Sequence, residues 1–248
     1  MANRLKKIAF LVRRPDLSHE QFTRHWREQH GPLVARSPGY ERYRLGYAQN
    51  HVLGETAIGQ PFPWSGMAEF WLPGEAPNEE DFSSTAIYRD RIAVDERLFI
   101  DMGSTVSTAA TETRIVDGHG PAKVVIAAVG ASGTPSSGGP AFAEHALSGY
   151  ADLERMVAGW AVNDVIPGTF RLPGAHPLAD LRIGAIHELW FASGADCAAA
   201  MGPLSEAATG RLDPDRTTSF LAEEIVYFLD GRPVGRPVGL PVGPAAQP

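Results

Sequence analysis

Two histidines in the first part of the chain lie at spacings that can support proton transfer. His30 follows Trp26 by four residues and Phe22 by eight, which places the three side chains on one stripe of a helix. A partly buried imidazole titrates near neutral pH and can act as a general base or acid. We therefore predict that His30 is catalytic, with capping of the helix C-terminus as its structural alternative.

His25 is a second catalytic candidate. It precedes His30 by five positions, so in a regular helix the two side chains point about 140° apart. That geometry is poor for one metal ion, and the chain has no His-Glu-x-x-His or Cys-x-x-Cys motif, so no metal site is predicted. A structural hydrogen-bonding role is the alternative for His25, because it recurs as His145 later in the chain.

Phenol groups follow the histidines. Tyr43 and Tyr47 alternate within a predicted strand from Arg42 to about Asn50, so they are expected on one face. A phenol can orient a substrate hydroxyl or stabilise an enolate oxygen. Tyr43 is predicted to be catalytic. The predicted substrate-binding residues are Trp26, Tyr40, Tyr47, His51 and Phe70.

The elements that must position these residues follow the order β-α-β-β-α-β. Ser18 and Gln21 form a capping box that opens a helix, which we expect to end at Gly31-Pro32 or a little beyond. The other predicted elements are strands over Lys7–Val12, Arg42 to about Asn50, Met67–Leu72 and Thr105–Val116, and a helix from Glu79 to about Asp90 with a second short one to Phe99. This order is that of a ferredoxin-like unit.

The same order recurs about 115 residues later. Lys7–Val12 is echoed by Lys123–Ala128, Glu69-Phe70-Trp71 by Glu188-Leu189-Trp190, and Glu112 by Glu224. The predicted elements are strands Lys123–Val129, Ala161–Arg171, Arg182–Phe191 and Phe220–Leu229 and helices Ala141–Ala158 and Asp196–Thr209. We predict two units, 1–118 and 119–230, followed by an extended Pro/Gly/Val-rich tail over 231–248.

A single unit of this kind leaves one sheet face bare. Two units that pack sheet to sheet bury both faces, so the predicted fold is α+β, a pseudo-twofold barrel formed within one chain. The chain is expected as a monomeric pseudo-dimer or as a homodimer. The Glu-x-Trp pairs are interpreted as structural parts of the sheet interface. Because only the first unit has the full histidine motif, we predict the active site there.

Composition excludes several partners. The net charge is −7, which argues against nucleic acid and anionic membranes, since binding to both depends on clustered Lys and Arg. Cys197 is the only cysteine, so an internal disulfide is impossible. The apolar runs are too short for a membrane span, and the N-terminal run is too short for a signal peptide. A cytoplasmic protein is predicted.

These motifs support a resemblance to a known family. Lys7–Phe22, His25-Trp26-x-x-x-His30-Gly31-Pro32-Leu33, Ser37-Pro38-Gly39-Tyr40 and Tyr43 together resemble an EthD-type domain of the dimeric α+β barrel superfamily, here as a tandem duplication. The resemblance covers about residues 5–50 and extends to Met67–Leu72 and Phe99–Val116. It implies chemistry on small, mostly apolar molecules, as in polyketide cyclases, anthrone monooxygenases, muconolactone isomerases and chlorite dismutases.

The resemblance also implies a mechanism. His30 and Tyr43 match the spacing of the catalytic histidine and tyrosine in methylmuconolactone isomerases, although the cysteine of those enzymes is replaced here by Phe70. The leading hypothesis is a cofactor-independent lyase, cyclase or isomerase that acts on a small aromatic, polyketide-like or lactone substrate. The alternatives are a haem enzyme with His145 or His187 as axial ligand, a cofactor-free monooxygenase, or a non-catalytic small-molecule-binding or stress protein.

Overall fold

Eight antiparallel strands form a closed barrel in the computed structural model of this chain, which describes residues 4–74, 81–131, 138–167, 173–177 and 182–234. The first half supplies β1 (Arg4–Leu11), β2 (Gly46–Glu55), β3 (Gly66–Trp71) and β4 (Val106–Val116). The second half supplies β5 (Ala122–Ala128), β6 (Val157–Ile166), β7 (Ala185–Phe191) and β8 (Thr218–Leu229).

The strand order around the barrel is β1-β3-β2-β8-β5-β7-β6-β4, and β4 pairs again with β1. Within each half the order is the same, β4-β1-β3-β2 and β8-β5-β7-β6. The prediction of an α+β barrel is confirmed. The prediction of two sheets that only face each other is wrong, because the edge pairs β2–β8 and β4–β6 join them into one sheet. This pairing satisfies backbone groups that open edges would leave exposed.

The eight strands form the wall of the barrel, and the helices lie outside it. The first half has α1 (His19–His25), a π-helical turn over Trp26–His30, α2 (Gly31–Ala35), a second π turn over Tyr88–Ile92 and α3 (Ala93–Phe99), with short 3-10 turns over Tyr40–Arg42 and Phe82–Ser84. The second half has α4 (Pro140–Gly149), α5 (Ala151–Met156) and α6 (Gly194–Ala208). No helix in the described part of the chain is long and apolar enough to cross a membrane.

The first helical segment continues through Gly31-Pro32 and ends at Ala35, a little beyond the glycine and proline as expected. The π turn bonds the Gly31 N–H to the Trp26 carbonyl, and α2 continues to Ala35. Pro32 has no N–H to place, and the Arg27 carbonyl instead accepts a 2.6 Å hydrogen bond from the Tyr227 hydroxyl. Glycine is needed at position 31 because a Cβ there would overlap the Tyr227 ring.

The second strand begins later than predicted. Gly39, at φ +79°, starts a 3-10 turn in which the amides of Tyr43 and Arg44 both bond to the Tyr40 carbonyl. These amides are therefore not available to a sheet, and β2 begins at Gly46. Tyr43 lies in this turn and not on the strand with Tyr47, so the predicted shared face is wrong.

Other boundaries differ in smaller ways. The helix predicted over Ala141–Ala158 is two helices, and the chain enters β6 at Val157. The start of the helix predicted from Glu79 lies partly outside the described residues, as does nearly all of the predicted tail; Arg232–Pro233 pairs with the end of β8.

Candidate functional site

The capping box that opens α1 is present as predicted. Ser18 Oγ accepts a hydrogen bond from the Gln21 amide at 3.1 Å, and Gln21 Oε1 accepts one from the Ser18 amide at 2.7 Å. Phe22 and Trp26 are fully buried, and His30 is 4% exposed. The apolar side chains on this stripe thus fix the helix against the barrel and hold His30 beneath it.

The π turn changes the relation between the two histidines. In an i→i−5 turn, residues five apart come onto one side of the helix, whereas the sequence predicted them about 140° apart. His25 Nε2 lies 2.9 Å from Asp95 Oδ1, and His30 Nδ1 lies 2.8 Å from Asp95 Oδ2. One carboxylate on α3 therefore holds both imidazoles.

Asp95 was not predicted from the sequence, and it organises the pair. Burial alone would raise the pKa of Asp95, but the hydrogen bonds and charges of His30 and His25 outweigh burial and lower it. The Phe99 ring stacks on His25 at 4.8 Å and packs against His30 at 5.0 Å, so both imidazoles are fixed in position. Among the described residues, His30 Nε2 has no hydrogen-bond partner.

A cavity of about 30 Å³ lies next to His30. Its lining combines polar and apolar groups: His30, Arg44, Asp81, Ser83, Tyr88 and Glu96 with Val34, Phe70, Phe82 and Ile92. This volume accommodates one or two water molecules, so only one small group of a substrate fits between the side chains as they stand.

Tyr88 and Glu96 form a buried pair at this cavity. The Tyr88 hydroxyl donates a 2.7 Å hydrogen bond to Glu96 Oε2. Burial raises the pKa of Glu96, which the charge of His30 partly opposes, and burial together with Glu96 raises the pKa of Tyr88. Tyr88 lies in the second π turn, where the Ala93 N–H bonds to the Tyr88 carbonyl. Both helical segments that carry groups to this cavity thus contain a π turn, a feature frequent at functional sites.

Arg44 and Asp81 provide charges on another part of the cavity wall. Arg44 Nη2 lies 2.5 Å from Asp81 Oδ1, and Lys7 pairs with the other oxygen of the same carboxylate. Burial alone would raise the pKa of Asp81, but Arg44 and Lys7 lower it. Burial, then Arg44, lowers the pKa of Lys7 to about 8.

Only part of the predicted site is brought together. His30 and Phe70 line the cavity, and His25 is joined to His30 through Asp95. Tyr47 lies one ring away, stacked on Phe70 at 4.9 Å, and its hydroxyl accepts from Gln49 Nε2 at 2.8 Å. The fully buried Tyr40 packs on Phe82 and Phe228, and Tyr43 packs on Phe82 from outside the cavity lining.

Trp26 and His51 belong to a neighbouring buried cluster. Their rings lie 4.5 Å apart, and Gln49 bridges His51 Nε2, the Trp26 carbonyl and Tyr47. Burial lowers the pKa of His51 to about 3, so His51 is neutral. His51 Nδ1 has no hydrogen-bond partner among the described residues.

A second polar centre lies inside the barrel, where buried lysines and glutamates meet. Lys6 Nζ lies 2.8 Å from both Glu69 and Glu188, and Lys123 Nζ lies 2.7 Å from Glu188 and 3.3 Å from Glu69. Glu112 pairs with Lys6 at 2.5 Å, and Glu224 pairs with Lys123 at 2.6 Å. Lys6, and not Lys7, is therefore the counterpart of Lys123, which corrects the sequence alignment of the two halves by one residue.

This network bears on metal binding. Glu69, Glu188 and Glu224 place carboxylate oxygens within 4.8 Å of one another, which is close enough to hold a metal ion. The same oxygens already contact the ammonium groups of Lys6 and Lys123, and the Trp190 indole donates to Glu224 at 2.9 Å. The carboxylates thus neutralise lysines, in line with the structural role predicted for the Glu-x-Trp pairs.

The haem alternative depends on His187 or His145 as the axial ligand. Both nitrogens of His187 are engaged: Nδ1 accepts from the Trp160 indole at 3.1 Å, and Nε2 donates to the Gly138 carbonyl at 2.5 Å. Burial lowers the pKa of His187 to about 4. His145 is half-buried on α4 and echoes His25. His187 therefore does not fit the role of an axial ligand.

A larger cavity, of about 510 Å³, lies between α6 and the ends of β2, β5 and β8. Its lining is mostly apolar, and its polar members include Glu55 and Lys123. Lys123 is already paired with three glutamates. Burial raises the pKa of Cys197 in its wall, which keeps the thiol neutral and unreactive. Tyr150 is not among the residues that line this cavity; it packs against the apolar core under the second-half helices.

Comparison with known proteins bears on the fold and on the first half. The model of the EthD domain matches residues 14–103. The crystal structure of a candidate monooxygenase from Lactobacillus acidophilus NCFM superposes with a TM-score of 0.52 at 8% identity, covering 94% of this chain and 99% of that one. A candidate chlorite dismutase gives 0.48 at 8% identity, with 90% of this chain and 95% of that one covered. A candidate monooxygenase from Fusobacterium nucleatum subsp. nucleatum also gives 0.48 at 8% identity, with 96% and 99% covered. Among curated protein sequences, none matches significantly.

Proposed function

We propose that this chain, whose residues 14–103 match the model of the EthD domain, is an acid-base enzyme whose active site is the cavity at His30. The substrate is a small aromatic, polyketide-like or lactone molecule, and the reaction is a cyclisation with dehydration or an isomerisation. The observation that carries this proposal is the Asp95–His30 pair, in which Nδ1 is held at 2.8 Å and Nε2 remains without a described partner at the cavity.

His30 is the proton carrier in this proposal. A carboxylate on Nδ1 fixes the neutral imidazole in the tautomer that carries its proton on Nδ1, so Nε2 has a lone pair for the substrate. The Asp95 charge also stabilises the imidazolium once His30 has taken a proton. His25 shares the same carboxylate, and we propose that it positions Asp95 and does not contact substrate.

Tyr88 takes the role first assigned to Tyr43. It lines the cavity, and its hydroxyl is hydrogen-bonded to Glu96. To donate to a substrate carbonyl oxygen, the phenol turns its single proton away from Glu96 as charge develops on that oxygen. Burial raises the pKa of Glu96, and the neutral carboxyl can then donate to the phenol oxygen instead. Phe70 and Phe82 supply apolar surface for the one small group of the substrate that enters the cavity.

The reaction balances without an external oxidant or reductant. His30 Nε2 removes a proton from a carbon next to a carbonyl, and the electron pair moves toward the oxygen that Tyr88 contacts. In a dehydration the same proton leaves with the departing hydroxyl as water, and in an isomerisation it returns to another carbon. We therefore expect activity without an added cofactor. The alternative of a cofactor-free monooxygenase would add O₂ consumption to the same first step.

The second half is proposed as a structural mate. Units 1–118 and 119–230 are proposed to derive from a tandem duplication, which is supported by their common strand order and by the matched pairs Lys6 and Lys123, Glu69 and Glu188. A cytoplasmic location and a monomeric or homodimeric state remain proposals.

The test is substitution of His30 by glutamine, which keeps a polar side chain but cannot carry the proton. On a substrate found by screening small aromatic and polyketide-like ketones, we expect kcat to fall by about 10²–10⁴, the usual contribution of a positioned acid or base. Tyr150→Phe, at the corresponding place in the second half, is the matched control and should retain wild-type turnover. Full activity of His30→Gln, or loss of wild-type activity on chelation or haem depletion, would refute the proposal.

A further inference from the structure

Arg44 is buried on the wall of the His30 cavity, and part of its guanidinium has no partner. It is 6% exposed. Nη1 donates to the Tyr43 carbonyl at 2.8 Å, and Nη2 donates to Asp81 at 2.5 Å. Within the described part of the chain, Nε is fully buried and makes no hydrogen bond. The centre of the Phe70 ring lies 5.7 Å from the guanidinium carbon, so the ring packs against the charged group.

An unused N–H on a buried guanidinium is unusual. Arginine is always charged in proteins, and its donors are normally satisfied when water is removed. An unsatisfied donor on a charged group weakens folding more than a neutral one does. The fold nevertheless holds Arg44 through hydrogen bonds at Nη1 and Nη2 and leaves Nε unpaired, in a side chain that lines the same cavity as His30 and Tyr88.

We infer that the substrate carries a carboxylate and that the Nε–H of Arg44 binds it in the His30 cavity. The inference rests on the proposed function in one respect, that this cavity is the substrate site. It adds the class of the substrate, a small carboxylic acid with its reacting carbon near the acid group.

Size and charge favour a carboxylate over a neutral carbonyl. A cavity of about 30 Å³ accepts one group of a few atoms, and a charged acceptor forms the stronger hydrogen bond with a guanidinium. Asp81 and Glu96 are the wall groups that would oppose an anion. The charge of Asp81 is offset by Arg44 and Lys7. Burial raises the pKa of Glu96 and so favours the neutral form, which can coexist with a bound carboxylate.

Formate and formamide provide the experiment, because they have similar shape and differ in charge. The NMR signal of Arg44 Nε–H and the ring signals of His30 are followed while each is added to the full-length protein. We expect both residues to respond saturably to formate and to respond at least about tenfold more weakly to formamide, as for a hydrogen bond to a charged acceptor.

Two variants separate the possible causes. Arg44→Lys keeps a positive charge near Asp81 but has no Nε–H, and we expect formate to bind it about tenfold to 100-fold more weakly. Arg42→Lys, at an exposed arginine two residues away, is the matched control and should bind as the wild type does. Equal binding of formate and formamide, no response of Arg44 to formate, or unchanged binding to Arg44→Lys would each overturn the inference.

The proposed function fails differently. His30→Gln should bind formate like the wild type, because the carboxylate contact is made by Arg44, while turnover is lost. If formate binds through Arg44 but His30→Gln keeps full turnover, the acid-base proposal fails and the anion site stands. If His30→Gln loses turnover but no formate binds, the acid-base proposal stands and the carboxylate inference fails.

Discussion

The two halves of the barrel wall are built alike, but the layer between wall and helices differs. In the first half this layer contains His25, His30, Asp95, Glu96 and Tyr88, joined by hydrogen bonds. In the second half the corresponding space is filled by apolar residues, among them Phe142, Ala146, Ala200 and Leu204. The two π turns lie in the first half, and among the described second-half helices all are α-helical.

This difference shows which residues the fold requires. Burial of polar and titratable groups is costly unless they are paired. In the second half, the titratable group that packs under α4 is His187, and both of its nitrogens are bonded within the fold, to Trp160 and to the Gly138 carbonyl. The ionic groups inside the barrel recur in both halves, so they belong to the wall. The histidine, aspartate and tyrosine groups under the first-half helices are additions to that wall, which is the physical basis for assigning the site to them.

The largest expected effect concerns the part that the halves share. Lys6→Met leaves Glu69, Glu112 and Glu188 with fewer cations in the dry interior, and Lys123→Met does the same from the other half. Removing one partner of a buried ion pair costs about 3–5 kcal/mol. In urea unfolding, we expect both variants to lose this much free energy of unfolding, by similar amounts. The control is Arg155→Met, at an exposed residue, which should change the free energy of unfolding by less than about 0.5 kcal/mol. A large difference between the stability losses of Lys6→Met and Lys123→Met would contradict the equivalence of the two halves of the barrel.

The next effect separates two matched glutamates. Burial and Glu188 raise the pKa of Glu69 to about 7, and an unfolded glutamate has a pKa near 4.3. Between these values the folded state holds the extra proton, so stability falls as pH rises through this window. Glu69→Gln mimics the neutral form of this side chain. As the pH rises from 4.5 to 8, the free energy of unfolding of the variant should therefore increase relative to that of the wild type by up to about 3 kcal/mol, at about 1.4 kcal/mol per pKa unit.

Glu188→Gln is the control for that prediction. Burial alone would raise the pKa of Glu188, but Lys123 and Lys6 hold it well below its usual range, so its charge stabilises the fold at neutral pH. We expect Glu188→Gln to lose stability at pH 7. The buried His51 and His187 have lowered pKa values, so they make the stability of the fold decrease as the pH falls below about 6.5, which is opposite to the effect of Glu69. The quantity to measure is therefore the difference in stability between wild type and variant. If the curves of stability against pH are parallel for wild type and Glu69→Gln, the raised pKa assigned to Glu69 is contradicted.

A smaller effect is expected at the helix layer of the first half. Asp95→Asn keeps the shape of the side chain but can no longer accept hydrogen bonds with both oxygens. Turnover should fall by about tenfold to 100-fold, since the base is disturbed but not removed. Nitrogen NMR should show altered tautomers at His25 and His30 and unchanged signals at His187, a change that a purely structural role would not produce. Unchanged tautomers would show that Asp95 does not set them.

The smallest effect compares helix caps. Ser18 caps α1, and Ser193 caps α6 through a 3.1 Å bond from the Asp196 amide. Replacement by alanine should cost about 0.5–2 kcal/mol in each half, because each leaves helix N–H groups without an acceptor. Ser18→Ala should also lower turnover slightly if the cap positions His30, whereas Ser193→Ala should change stability alone. Equal effects of the two variants on turnover would weaken the link between the first helix and the site.

The sequence predicted the wall better than the site. Strands such as β1 and β3 have strong apolar patterns, and the Ser18-Gln21 box predicted the start of α1. Asp95, Tyr88 and Arg44 could not be found in this way, because they come to the His30 cavity from distant segments with no local motif; of the three, Asp95 contacts His30 and the other two line the cavity. The angle between His25 and His30 was wrong because a π turn has no residue signature. The prediction that Lys7 corresponds to Lys123 was wrong by one residue, and in a strand a shift of one residue places the side chain on the opposite face of the sheet.

The π turn at Trp26–His30 also has a mechanical consequence. An α-helix advances about 100° per residue, so side chains placed every four residues drift steadily around its axis. Phe22, Trp26, His30 and Val34 follow this four-residue step and are all buried against the barrel. The wider π turn compensates for this angular drift once along the segment, so that the four side chains lie in a nearly straight row. Deletion of one residue between His25 and His30 would remove this compensation and rotate the residues that follow relative to the barrel wall.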